Sequence, residues 1–366
     1  GNVMIIKLGE VASFVNGYAF KPSDWSDNGM PIIRIQDLTG NSYKMNRYNG
    51  DIEQKYKVQD GDVLISWSAS LGVYVWHGEN AVLNQHIFKV VFDKTDVSKD
   101  YFVYQIEYRL GNAASEAHGA TMKHLTKSVF NALPFYLPKK EEQEKIAKVL
   151  NKITELTNKT RKQAKLLDDI IKSRFIEMFG DMKLNKRGWK LKSFEELTYL
   201  ITDGEHATPK RTDKGIYLLS ARNILNHSLQ LKDVDYINEK EYDRIAKRII
   251  PQEGDILISC SGTVGRCCSV PSGFHFQMVR SVALIRFKEY INPIFAEYMI
   301  TSDYLQEQIN SSKTVSSQAN LFQGKIRTLK GFVPPIEMQN EFSVFVHKID
   351  KSKLEIHNFT GVYRTS

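Results

Sequence analysis

Two stretches of the chain share one pattern of apolar and polar positions. Gln59-Asp60-Gly61-Asp62-Val63-Leu64-Ile65-Ser66 returns as Gln252-Glu253-Gly254-Asp255-Ile256-Leu257-Ile258-Ser259. In each, an acidic-Gly-Asp turn precedes a short β-branched run, which predicts a strand launched from a tight turn. Small and polar residues follow both times, Trp67 to Gly72 and Cys260 to Gly265, then strands ending at Phe92 and Phe287 and helical stretches near 100–117 and 293–311. The copies close on Leu125…Pro138-x4-Gln143 and Leu321…Pro334-x4-Gln339 at one constant offset. Upstream, the strand expected at Ile32 to Leu38 matches Leu218 to Ile224 more loosely. A repeat of this length is too long for a solenoid unit and suits a duplicated domain of mixed strands and helices in a pseudo-two-fold arrangement.

A helix is expected after each copy. From Lys139 to about Phe179, framed by Pro138 and Gly180, the residues Ile146, Val149, Ile153, Leu156, Thr160, Leu167 and Ile170 form a near-heptad seam with a polar middle. At ~1.5 Å per residue the rod is about 60 Å long. The second helix, from about Ile336, places Phe342, Phe345, Ile349 and Ile356 on one face, and Asn358-Phe359-Thr360-Gly361 breaks its pattern, so it reads as shorter. A rod with one apolar stripe is unstable alone, so these helices should pack on each other or on a partner, and exposed seam residues suggest self-association.

Composition narrows the class. With 42% hydrophobic and 25% charged residues the chain can bury cores in two or more domains. The net charge of +8 mildly favours a polyanionic partner, and the positive excess lies mainly in the second half. The first half would then touch nucleic acid through local patches, or with another subunit supplying phosphate contacts. Cys260, Cys267 and Cys268 crowd together in a chain without an apolar leader or membrane-length run, which reads as a cytoplasmic protein with free thiols. Adjacent Cys267 and Cys268 fit tetrahedral zinc poorly, and small buried strand residues are the better reading.

The opening Lys7-Leu8-Gly9-Glu10-Val11, the GDVLIS and GDILIS strands, and the paired endings carry a resemblance. Those endings are Gly119-Ala120-Thr121-Met122-Lys123-His124-Leu125 with Leu133-Pro134-Phe135-Tyr136-Leu137-Pro138, and Val315-Ser316-Ser317-Gln318-Ala319-Asn320-Leu321 with Pro334-Pro335-Ile336-Glu337-Met338-Gln339. Over essentially its whole length the chain resembles the specificity subunit of type I restriction-modification systems. The resemblance implies an α+β fold: two similar mixed α/β target recognition domains separated by two long antiparallel coiled-coil helices. Residues 4–138 and 182–334 would each read half of a split DNA target. Residues 139–181 and the shortened 335–366 would be the spacers that fix the gap and dock partners. The partners implied are double-stranded DNA, two methyltransferase subunits and ATP-dependent restriction subunits.

Base edges are read by hydrogen-bonding side chains on loops and strand edges, while Lys and Arg on phosphates supply affinity. In the first domain the candidates are Asn16, Tyr18 and Lys21 in a Gly-bearing loop, Arg34 and Gln36 on the expected strand, and Lys44 and Arg47. Ser68, Asn84, Gln85, His86, Lys123 and His124 complete that set. The second domain offers His206, Thr208, Lys210 and Arg211, then Arg222 and Asn223 at positions matching the first domain's strand. Ser261, Thr263 and Arg266 follow the repeated strand, with Gln277, Arg280, Lys313, Ser317, Gln318, Asn320 and Lys325 towards the close. The loops differ while the strand framework repeats, as an asymmetric target requires. Trp25, Trp67, Trp76 and Trp189 are assigned to packing rather than base stacking.

Catalytic motifs are missing. The one Gly-Lys pair, Gly324-Lys325, lacks the rest of a phosphate cradle, and Val333-Pro334-Pro335-Ile336 lacks the polar residue of an amino-methyltransferase signature. No cofactor is expected on this chain, with methyl donor, ATP and magnesium assigned to partner subunits. Asp168-Asp169 and Asp60/Asp62 fit helix surface and turn. The rival readings are an enzyme with an unrecognised active site and a coiled-coil or DNA-binding scaffold without sequence preference.

Overall fold

The repeated turn forms in the same way twice. Asp62 Oδ2 accepts the Gln59 N–H at 2.9 Å, and Asp255 Oδ2 accepts that of Gln252 at 2.8 Å. Between them Gly61 and Gly254 sit at φ +83° and +81°, the left-handed region that a Cβ disfavours. Each turn feeds a fully buried strand, Val63–Ser66 or Ile256–Ser259. The computed structural model describes residues 4–41, 44–68, 70–116, 127–311 and 320–360, and it divides into two units, Gly1–Leu156 and Thr157–Ser366.

In the first unit Val63–Ser66 lies inside a four-stranded sheet ordered Ser13–Asn16, Ile87–Val91, Val63–Ser66, Gly72–Val75. A second sheet is ordered Arg47–Tyr48, Met30–Ile33, Ala81–Leu83, Lys57–Val58, and Met30–Ile33 runs parallel to Ala81–Leu83. The second unit repeats both. Thr198–Asp203, Val282–Phe287, Ile256–Ser259 and Cys267–Ser269 make one sheet, and Arg211–Thr212, Asp235–Ile237, Ile216–Leu219 and Phe276–Met278 the other. Its parallel pair is Ile216–Leu219 with Phe276–Met278. Each repeat is closed by an antiparallel ribbon of its first and last strands, Met4–Lys7 with Pro134–Leu137 and Lys190–Ser193 with Lys330–Val333. Chain entry and exit therefore meet just before each long helix.

A helix packs on the first sheet of each unit. Tyr101, Phe102, Ile106 and Leu110 of Lys99–Glu116 join Phe14, Val63, Phe88, Phe130 and Phe135 in one core. Phe295, Ala296 and Met299 of Pro293–Thr301 join Ile256, Ile258 and Phe332 in the other. The single helical stretch expected over 293–311 is two helices, Pro293–Thr301 and Asp303–Ser311. Ser302 between them is extended and its hydroxyl donates to the Met299 carbonyl at 2.6 Å, ending the first helix.

Cys260, Cys267 and Cys268 are free and buried, with Cys267 and Cys268 in a strand. Burial pushes the Cys260 thiol up to about 12 and raises the other two. Packing accounts for the tryptophans less evenly. Trp25 is 47% exposed and lies under the Arg34 guanidinium at 5.9 Å.

The spacer helices are Lys140–Phe179 and Ile336–Thr360. The second continues through Asn358, Phe359 and Thr360, where the pattern predicted a break. In the second unit Asp168 meets Lys353 at 2.6 Å while Arg174, further along the first helix, meets Glu341 at 2.8 Å, so the two helices run antiparallel. Their seam differs from the one expected. It buries Thr160 and Ile171 with Phe175 and Phe179 against Phe342 and Val346, and leaves Ile170 46% exposed. Aromatic rings at Phe175 and Phe179 take the deep positions, and residues one turn apart on that face, Ile171 included, follow them inward.

Candidate nucleic-acid interface

Strand Ser13–Asn16 runs into Gly17, whose backbone lies so close to Asn84 that an added Cβ would sit 1.9 Å from its carbonyl oxygen. Tyr18 then bridges Asn84 in parallel, and Gln85 N–H donates to the Tyr18 carbonyl at 2.9 Å. The second unit does the same with different side chains. A Cβ at Gly204 would lie 2.4 Å from the Val279 carbonyl oxygen, Glu205 bridges Val279, and Arg280 N–H donates to the Glu205 carbonyl at 3.0 Å. Two loops thus converge at one edge of each unit, and the identity of the residues there is free of the backbone requirement.

In the first unit this edge is aromatic and amide-rich. Trp67 Nε1 donates to Asn16 Oδ1 at 3.2 Å and its ring meets His86 edge-on at 5.0 Å. His86 is exposed at φ +71°, and Tyr18, 43% exposed, packs against Phe20 and Tyr56. Ser68, next but one to Ser66 in the chain, is buried, and Gln85 is half-buried. The Asn84 Oδ1 atom is buried without a partner among the described residues.

The remaining first-unit candidates lie elsewhere. Lys21 caps a short turn through its N–H on Asp24 Oδ2. Arg34 and Gln36 are not on a strand: the strand ends at Ile33, Arg34 caps the short helix Ile35–Leu38, and Gln36 is exposed within it. Asp37 ends the strand by accepting the Arg34 N–H at 2.9 Å, as Asn223 accepts that of Ser220 at 2.8 Å. Lys44 faces Asp27, and Arg47 is held by Glu79 at 2.6 Å and the Gly29 carbonyl at 2.6 Å. That ion pair holds the Glu79 carboxyl below its usual range.

In the second unit the same edge carries Asp203, Glu205 and Arg280, and the turn Ala221–Asn223 brings further arginines beside it. Ala221 N–H donates to Ser281 Oγ at 3.0 Å, beside exposed Arg280, while its carbonyl accepts Arg266 Nη2 at 3.2 Å. Arg222 follows in the chain and shares the Asp235 carboxylate with Arg211, at 3.0 and 2.9 Å. Two guanidiniums on one carboxylate leave net positive charge, and Arg280 makes no ion pair among the described residues. Arg266 Nε is buried and unpartnered among them. Ser261 and exposed Thr263 lie on the adjoining loop, braced by the Ser259 hydroxyl donating to the Thr263 carbonyl at 2.7 Å. Asn320 is placed against it by Leu321 N–H on the Cys260 carbonyl at 2.9 Å.

His206 and Thr208 are exposed, with His206 3.7 Å from Asp203, and Lys210 donates its N–H to Glu241. Lys325 is exposed on the helix Gln323–Thr328, and no described contact ties it to the arginines.

Two candidates are corrected. Asn223 is 1% exposed with its amide spent on the Gln230 and Asp233 carbonyls, and Gln277 is fully buried with Nε2 on the Ile249 carbonyl. Their polarity serves the turn and the core, so neither reaches a ligand. Lys123, His124, Lys313, Ser317 and Gln318 lie outside the described residues.

Sequence reasoning missed the Gly204 approach, which was available from aligning Asn16-Gly17-Tyr18 with Asp203-Gly204-Glu205. It also missed Arg244 and Arg248, which hold that loop through Glu205 at 3.4 Å and the Asp203 carbonyl at 2.8 Å. Among the described residues no group of three or more His, Cys, Asp or Glu could hold a metal ion, and no helix is long and apolar enough to cross a membrane.

A family model described as the type I restriction modification DNA specificity domain matches residues 1–167 and 186–360. The chain belongs to that family. The specificity subunit of the type I restriction enzyme EcoBI from Escherichia coli is 25% identical over 92% of this chain and 77% of its own length. That of the MjaVIII enzyme from Methanocaldococcus jannaschii is 19% identical over 80% of this chain and 73% of its own length. A crystal structure of a type I restriction-modification system S subunit from M. genitalium matches with TM-score 0.56 at 14% identity, covering 98% of this chain and 92% of that one. The specificity-domain fold is therefore present twice here, as the repeated turns, sheets and closing ribbons require.

Proposed function

We propose that this specificity-domain protein gives a type I restriction-modification complex its DNA target, each unit reading one half of a split asymmetric sequence. The observation carrying this reading is the contrast between equivalent edges. One backbone frame presents Asn16, Tyr18, Gln85 and His86 in the first unit and Asp203, Glu205, Arg280 and Ser281 in the second, with Arg222 and Arg266 carried beside them by the turn Ala221–Asn223. Arginine forks suit guanine edges and phosphates, and amide and imidazole groups suit other edges, so two different half-sites follow from one fold.

On this reading the chain is not an enzyme and carries no cofactor. Two methyltransferase subunits supply methyl transfer with their methyl donor, and restriction subunits supply ATP- and magnesium-dependent cleavage, all in the cytoplasm. The spacer helices set the gap between half-sites and dock the methyltransferases.

Selection of bound duplexes from a random pool, with the methyltransferase present, tests the reading. A split consensus with a constant unspecified gap is expected. Enrichment without a consensus supports a scaffold lacking sequence preference, and modification of DNA by the purified chain alone, given methyl donor and magnesium, supports an enzyme.

A further inference from the structure

The equivalent edges of the two units carry, at one matched position, side chains of opposite hydrogen-bonding polarity. Trp67 N–H donates to the His86 carbonyl at 3.3 Å and Cys260 N–H to that of Ser281 at 2.8 Å, so Trp67 corresponds to Cys260 and His86 to Ser281. Two residues further on, Phe88 pairs with Asn16 and Ala283 with Asp203, so Asn16 corresponds to Asp203. Each stands directly before the glycine of the close approach, Gly17 or Gly204.

In the first unit the indole decides which way the amide turns. Trp67 Nε1 can only donate, so Asn16 gives it Oδ1 at 3.2 Å. The exposed Asn16 Nδ2 keeps its two protons without a partner among the described residues.

In the second unit a thiol replaces the indole, and it spends its proton on the Ile258 carbonyl at 3.6 Å. His206 Nε2 stays 3.7 Å from Asp203 Oδ2, beyond hydrogen-bonding reach, and Arg248 bonds the Asp203 backbone carbonyl rather than the carboxylate. The Asp203 carboxylate, 23% exposed, therefore accepts no hydrogen bond among the described residues. Burial holds it above its usual range against the opposing charges of His206 and Arg248. Glu205, by contrast, is already spent on the Ala207 N–H and on Arg244.

We propose that Asp203 reads a cytosine in the half-site of the second unit by accepting a proton of its N4 amine, and that Asn16 reads a base acceptor at the matching position of the first. The inference rests on the DNA-reading function proposed above and deepens it to one base. An ionised carboxylate offers acceptors only, so guanine N7 and O6 or thymine O4 would meet it lone pair to lone pair. Adenine N6 stands beside the N7 acceptor, which faces the second carboxylate oxygen, whereas cytosine N4 stands beside a C–H. Exposed Arg280 and Arg248 offset the negative charge that a carboxylate brings to a phosphate backbone.

The test is duplex selection by the full chain with its methyltransferase. The native second half-site should contain a cytosine that Asp203→Asn exchanges, at that position alone, for guanine or thymine, with a change in relative affinity of roughly five- to hundredfold. Asp203→Ala should lose the preference there and gain no other. Asn16→Asp keeps an acceptor for Trp67 and should move one position of the first half to a base presenting an amine. Should Asp203→Asn lower the melting temperature, the Asn16→Asp selection decides alone. A split consensus that these exchanges leave intact, or that they weaken for all sequences alike, overturns this inference while the division into half-sites stands. Absence of any split consensus with the native protein overturns both.

Discussion

Gln143 and Gln339 perform the same task in the two units. Gln143 Nε2 donates to the Pro138 carbonyl at 2.8 Å while its Oε1 accepts the Ser98 N–H at 2.9 Å. Gln339 Nε2 donates to the Pro334 carbonyl at 2.8 Å while its Oε1 accepts the Asn292 N–H at 2.8 Å. Each buried amide joins the first turn of a spacer helix to the start of a domain helix, satisfying an N–H that a helix N-terminus leaves without an internal partner. A spacer docked this way cannot roll about its axis without stranding polar groups.

Replacing either glutamine by alanine should cost about 2 kcal/mol, because a buried N–H and a carbonyl both lose their partners. The two residues belong to different units, so the double variant should show the sum to within about 0.5 kcal/mol. Urea unfolding checks both values. A loss under about 0.5 kcal/mol would show that water replaces the amide.

Arg280→Ala and His86→Ala should weaken different halves of the selected DNA sequence. Loss of a bidentate contact costs about 1–3 kcal/mol of discrimination at one position, whereas loss of a phosphate contact weakens all sequences and reduces the salt slope by about one. Asn223→Ala and Gln277→Ala should lower stability and leave the consensus unchanged, since both side chains are buried and internally bonded. Duplex selection with each variant separates these outcomes, and one variant altering both halves would contradict the division between units.

The repeat, its turn-launched strands and both long helices were legible because turn chemistry and apolar period are local. Asp62 and Asp255 announce their turns in the sequence, and their hydrogen bonds form as written. The features that were not legible depend on long-range packing. Nothing near Asn223 or Gln277 says that their amides face inward, because the partners, such as Ile249 for Gln277, lie far away in sequence. The spacer seam was displaced from Ile170 to Ile171 for a related reason: the aromatic positions 175 and 179 decide the face, and they pack on Phe295 and Phe342 of other elements.

Thiol reactivity follows from burial. The Cys260 thiol is pushed up to about 12 and those of Cys267 and Cys268 are also raised, so almost no thiolate exists at pH 8. A disulfide reagent at pH 8 should label none of the three in the folded protein and all three in urea. The folded state prefers the neutral thiols, so their contribution to stability is complete below the unfolded value near 9 and is lost as pH rises from there towards about 12. Alkaline unfolding should therefore shift to higher pH in the Cys260→Ala variant, and an unchanged midpoint would exclude this thiol as its cause.

A four-residue helical insertion after Leu156 tests the proposed measuring role of the first spacer. That point divides the two units and leaves intact both the Gln143 lock and the Phe175 and Phe179 seat. Four residues lengthen a helix by about 6 Å and rotate the downstream segment by about 40°. Since neither domain changes, both half-sites should persist in the methylation pattern, and the unspecified gap between them should change length. An insertion that preserves the gap would show that something other than helix length sets the spacing. One that alters a half-site would show that the domains do not read independently. A chain that assembles with the methyltransferase, binds either half alone and no longer modifies DNA would place the limit in the rotation, which an insertion of seven residues, nearly two full turns, should largely relieve.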